Sequence, residues 1–101
     1  MKILALESEN SGATREQFQR FAKEEACAAW EFYQSGVIRE LYFRADQQTA
    51  VLVLECTSTN EAANVLANLP FVQEGLISFD LIPLAAYSGF GRLFGEEGQV
   101  K

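Results

Sequence analysis

Val37-Ile38-Arg39-Glu40-Leu41-Tyr42-Phe43-Arg44-Ala45 is followed by Asp46-Gln47-Gln48-Thr49 and then by Ala50-Val51-Leu52-Val53-Leu54-Glu55-Cys56. Two runs rich in β-branched and aromatic residues thus flank four polar ones. Such side chains pack well on a pleated, half-buried surface, so residues 37–56 predict a β-hairpin. Period-two alternation puts Val37, Arg39, Leu41 and Phe43 on one face with Ala50, Leu52, Leu54 and Cys56. The other face takes Ile38, Glu40, Tyr42 and Arg44 with Val51, Val53 and Glu55. The more apolar set is expected under a helical layer. The mixed set is too apolar for full solvation and too charged for plain core.

Upstream, Lys2-Ile3-Leu4-Ala5-Leu6-Glu7 reads as a strand that ends in the turn-rich Ser8-Glu9-Asn10-Ser11-Gly12. Thr14, with Gln17 three places on, can satisfy two free amides and open a helix over about 15–35, which Gly36 terminates. Phe18, Phe21, Ala22, Ala26, Ala29, Trp30 and Tyr33 recur on one stripe of it, with Glu25 among them. Downstream, Thr59 is expected to cap a second helix that Pro70 closes, and residues 76–82 form a fourth strand. The order βαββαβ is the ferredoxin-like arrangement, an α+β fold with a four-stranded antiparallel sheet and both helices on one face. Residues 1–84 make up this domain, and residues 85–101 form a C-terminal extension.

If Asp46 pairs with Thr49, Glu40 lies across from Glu55, with Arg44 on the same face; a slip of two would bring Tyr42 to Glu55 instead. Two carboxylates in a partly dry site push one proton affinity upward, whereas in water Arg44 merely compensates them. Fourth-strand Ser78, Asp80 and Ile82 continue the mixed face. Pairing two such faces would bury them, so the chain is expected to form at least a homodimer. The extension, with Leu84, Tyr87, Phe90, Leu93 and Phe94 between glycines, is too apolar to dangle in water. It packs on a partner subunit, lids a pocket or covers its own sheet edge; only 96–101 reads as free.

Fourteen acidic residues against 8 basic ones give a net charge of −6, a field that repels phosphate backbones and anionic membranes. Neither nucleic acid nor membrane is an expected partner. No run is long enough to span a bilayer and no secretory signal is evident, so a cytoplasmic location is expected. Cys27 and Cys56 read as buried thiols, and the absence of histidine argues against zinc or haem ligation.

Glu24-Glu25, Ser35-Gly36 with Arg39-x-Leu41-Tyr42, the passage from Glu55 to Glu61, and Leu69-Pro70 together resemble the muconolactone isomerase family. The resemblance implies a dimeric α+β barrel that shifts a double bond in a small lactone without metal or organic cofactor. It implies Glu25, Arg39 and Tyr42 as catalytic residues, with Glu24 as an alternative carboxylate. Glu24, Glu40, Arg44 and Glu55 would contact a small-molecule ligand. Such chemistry needs a carboxylate to move a proton beside a carbonyl and a donor or cation to hold the enolate charge. Where the family tends to show histidine after the matched arginine, this chain has Glu40.

Two functions follow. One is a small isomerase-like catalyst acting on a carbonyl-bearing molecule, which needs a pocket holding a carboxylate. The other is a non-catalytic binding or assembly protein on the same scaffold.

Overall fold

The computed structural model describes residues 1–95. Strands β1 (Lys2–Glu9), β2 (Ile38–Phe43), β3 (Ala50–Glu55) and β4 (Ile77–Leu84) pair antiparallel in the order β2-β3-β1-β4. Helices α1 (Arg15–Ser35), α2 (Thr59–Leu66) and the short α3 (Pro70–Gln73) complete the expected ferredoxin-like α+β fold. The edge strand β4 tolerates Pro83 because it lacks a neighbour on one side.

The capping signals at α1 form as the sequence indicates. Thr14 and Gln17 make the reciprocal capping box, and Gly36 ends the helix in the left-handed region at φ 86°. At α2 the cap is Ser58, whose hydroxyl accepts the Glu61 N–H, and Thr59 is the first helical residue instead. The second helix ends at Leu66 with Ala67 as its C-cap, so Pro70 does not close it as expected. Its fixed φ suits a first helical position, and it opens α3.

The hairpin differs from expectation in register. Arg44 N–H donates to the Thr49 carbonyl at 2.8 Å, so four residues form the loop and Glu40 faces Val53, not Glu55. A two-residue loop of the favoured primed type would require Gln47 and Gln48 both to adopt positive φ; only Gln48 does so, at 54°. A second departure lies at Arg39, where a bulge shifts the pairing between Ile38 and Glu40. The extra residue inverts the alternation, so Ile38 points under the helices and pairs with Leu54 rather than joining the mixed face.

Helix-side rows are therefore Ile38, Leu54 and Ile3, and beside them Leu41, Leu52, Ala5 and Leu81. Ile3, Ile38 and Leu54 are fully buried with Leu66 and Leu69 from the helical side. Each such side chain contributes about 2–3 kcal/mol by leaving water. On α1 the half-buried residues are Phe18, Phe21, Glu25, Ala28, Ala29 and Phe32. Ala22, Ala26, Trp30 and Tyr33, expected on that stripe, are exposed; they lie roughly a quarter turn away, and the Trp30 and Tyr33 rings stack at 5.9 Å. Cys56 is buried as expected, whereas Cys27 is exposed.

The opposite face of the sheet carries the rows Glu40, Val53, Leu4, Ile82 and Tyr42, Val51, Leu6, Asp80. Its Leu4, Leu6, Val51, Val53 and Ile82 are only half-buried. Beyond β4, a 3-10 turn at Gly89–Phe94 leaves Tyr87 at 69% and Phe94 at 84% exposure. The radius of gyration is 16.6 Å, against about 13 Å for a compact chain of this length, consistent with an extension that projects from the domain. The expectation for residues 96–101 lies outside the described residues.

Candidate active site

Strand β1 presents Ile3, Ala5 and then Glu7 to the helical layer, because alternate residues share a face. An apolar alternation thus ends in a carboxylate beneath α1. From above, Glu25 comes from the half-buried side of that helix. Both acids line one cavity of about 140 Å³, together with Ala29, Leu41, Phe43, Ala50, Leu52, Phe71 and Phe79 among others. Leu41 and Phe43 line it and yet remain exposed, which places its mouth along the β2 edge.

The two carboxyls are held differently. Glu25 Oε1 accepts the backbone N–H of Phe71, in the first turn of α3, at 2.9 Å. Burial pushes its proton affinity above the ordinary carboxylate value, and the Phe71 N–H partly offsets that. Glu7 is also pushed up, first by burial and then by the neighbouring charges of Glu9 and Glu25, against a lowering hydrogen bond from the Ala50 backbone. Glu7 is thus raised by neighbouring carboxylates as well as by burial, and Glu25 by burial. A carboxyl that stays protonated can donate to a developing oxyanion while its ionised neighbour accepts a proton. Among the described residues no three histidine, cysteine, aspartate or glutamate side chains gather as metal ligands.

The other residues singled out in the sequence lie elsewhere. Glu24 is exposed on α1. Arg39 sits on the bulge, where its Nε donates to the Gly36 carbonyl at the end of α1. Tyr42 stands on the opposite sheet face and donates its hydroxyl to Glu40 at 2.6 Å; that bond, and the charge of Glu40, push the phenol upward. Arg44 is held by the carboxylate of Asp46 at 2.6 and 2.9 Å, which lowers Asp46. Glu55 pairs with the chain's terminal amine at 2.5 Å and is lowered chiefly by it. Of the sequence candidates, only Glu25 lines the cavity. Glu7 was not singled out, although the alternation Ile3-x-Ala5-x-Glu7 carried the signal.

No protein-family model and no curated protein matches the sequence. In structure the chain is similar to muconolactone isomerase, known from a crystal structure at 3.3 Å resolution, with a TM-score of 0.71 and 14% identity over 87% of this chain and 92% of that one. It is also similar to 5-chloro-2-hydroxyhydroquinone dehydrochlorinase from Burkholderia phenoliruptrix AC1100, in complex with 2,5-dihydroxybenzoquinone. There the TM-score is 0.61 and the identity 16%, over 88% of this chain and 98% of that one. A half-buried pair of acids under α1 is thus carried on the same α+β fold as these two proteins.

Proposed function

We propose that the protein is a small isomerase-like catalyst that moves a proton on a carbonyl-bearing small molecule without a cofactor, with Glu25 as base and Glu7 as acid. The observation that carries this reading is the meeting of two half-buried carboxyls, both raised by burial, in one largely apolar cavity. Ionised Glu25 takes the proton from the carbon beside the carbonyl, and the C–H electron pair moves into the enolate. Protonated Glu7 donates a hydrogen bond to the enolate oxygen. Delivery of a proton from the Glu25 carboxyl, which exchanges with solvent, to the far end of the conjugated system shifts the double bond and leaves the composition unchanged. Positioned acid–base groups of this kind contribute about 10²- to 10⁴-fold in rate. The fold shared with muconolactone isomerase supports the assignment.

In this reading the half-buried outer face packs on a second copy of the chain, and the apolar extension after Leu84 packs on that partner or lids the cavity. Arg39 and Tyr42 take no part inside the cavity of one protomer. The test is isomerisation of cyclohex-3-en-1-one to its conjugated isomer, followed by ultraviolet absorbance and by deuterium uptake from D₂O. Glu25→Gln should lower the rate at least 100-fold with the fold intact. A wild-type rate no greater than buffer, or a Glu25→Gln rate equal to wild type, would refute the assignment.

A further inference from the structure

The cavity wall holds two ionisable groups, Glu7 and Glu25, and no lysine or arginine among the described residues. Cations are held elsewhere: Arg39 on the carbonyl of Gly36, Arg44 on Asp46. The rest of the wall is apolar, with Phe43, Phe71 and Phe79 supplying rings. An anion brought into such a space would lose its hydration, meet no opposite charge, and lie within a few ångströms of at least one carboxylate. All three effects oppose binding.

Size narrows the ligand further. The cavity holds about 140 Å³ behind its open mouth at the β2 edge, and an apolar cavity of about 150 Å³ accommodates one benzene ring. From wall chemistry and volume we infer that the site takes an uncharged molecule with a single six-membered ring and a carbonyl or hydroxyl group, and excludes carboxylate-bearing analogues of the same shape. The inference rests on the reading of this cavity as the substrate pocket, and deepens it by assigning the charge class. The polar group of the ligand meets Glu7 or Glu25, and its ring lies among the phenylalanines.

Two nearly isosteric probes isolate charge from shape: 4-oxocyclohexane-1-carboxamide and 4-oxocyclohexane-1-carboxylate, titrated at pH 7 by ligand-observed NMR. The carboxamide should bind at least tenfold more tightly than the carboxylate. In the Glu7→Gln/Glu25→Gln double variant, whose amides keep the size of the wall, the ratio should fall to within about twofold. Equal or tighter binding of the carboxylate by the wild type would overturn the inference, as would failure of both probes to bind. A preserved ratio in the double variant would also overturn it, because the wall carboxylates would then not be the source of discrimination. Preference for the carboxamide without turnover of cyclohex-3-en-1-one would sink the catalytic assignment and leave the charge class standing.

Discussion

Glu25 accepts the Phe71 N–H at 2.9 Å, tying the middle of α1 to the first turn of α3 across 46 residues of chain. The same carboxyl that faces the cavity thus also fixes one of its walls. Glu25→Gln retains an acceptor oxygen and should change stability by less than about 0.5 kcal/mol. Glu25→Ala leaves a part-buried amide without its partner and should cost about 1–2 kcal/mol. Urea denaturation of both variants measures the difference, and equal midpoints would show that the tie contributes nothing.

Glu7 gives a pH signature. Burial first, then Glu9 and Glu25, raise its proton affinity above the ordinary value of 4.5, against the Ala50 backbone. Because the folded value exceeds the unfolded one, the stabilising contribution of the proton is complete below the unfolded value and is lost as pH rises through the folded value. At neutral pH, above the unfolded value, the Glu7 carboxyl therefore costs stability whether the fold keeps its proton or gives it up. Glu7→Gln should raise Tm by about 2–5 °C at pH 7. The gain should close as pH falls below the unfolded range, as thermal melts in a series of buffers would record. A gain independent of pH would show that ionisation is not its source.

The bulge predicts where the strand tolerates the loss of a residue. Arg39→Ala leaves the backbone count unchanged and should move stability by no more than about 1 kcal/mol. Deletion of Arg39 removes the extra residue and leaves Ile38 opposite Leu54, directly beside Glu40 opposite Val53, so Ile38 stays under the helices and the cost should be similarly small. Deletion of Leu41, inside the regular ladder, instead turns Ile38 toward the open face and should cost at least about 2–3 kcal/mol in lost burial. Guanidinium unfolding of the two deletion variants distinguishes them, and equal losses would count against the register described.

Gly36 is a separate case of backbone demand. A Cβ there would meet only Arg39 Nε, at 3.8 Å, so space is open, but φ is +86°. Gly36→Ala should therefore destabilise by about 1 kcal/mol through conformation alone. A neutral effect on Tm would contradict the left-handed cap.

On the open face, Val53 stands between Leu4 and Glu40. If a second copy covers it, Val53→Asp buries an unpaired charge and should convert a dimer to monomer in light scattering, while circular dichroism stays unchanged. A wild type that is monomeric at micromolar concentration would refute the face-to-face pairing.

Much of the fold was legible because its signals are local. Thr14 with Gln17 marks one helix end, Gly36 the other, and the apolar runs mark all four strands. The errors arose where one residue more or less changes a count. Gln47 and Gln48 carry no strong turn preference, so the four-residue loop and its two-place register shift were not readable. Nothing in Ile38-Arg39-Glu40 announces a bulge. Spacings of three and four on α1 admitted Trp30 and Tyr33 to a stripe that tertiary packing instead centres on Glu25 and Phe32. For the cavity, Glu25 was visible through its neighbours on the helix. Glu7 was hidden because a polar residue at the end of a strand usually faces water, and only the roof supplied by α1 makes it a wall.

Both margins of the sheet carry an interruption: the Arg39 bulge in β2 and Pro83 in β4. Extension of a β-structure by adding strands sideways requires a regular ladder of amides and carbonyls, and irregularities of these two kinds are among the devices that blunt it. Fibril-like stacking through the rims is disfavoured for this chain, even though its surface is rich in apolar groups. The apolar surface left open lies instead on the flat of the sheet, at Leu4, Leu6, Val51, Val53 and Ile82.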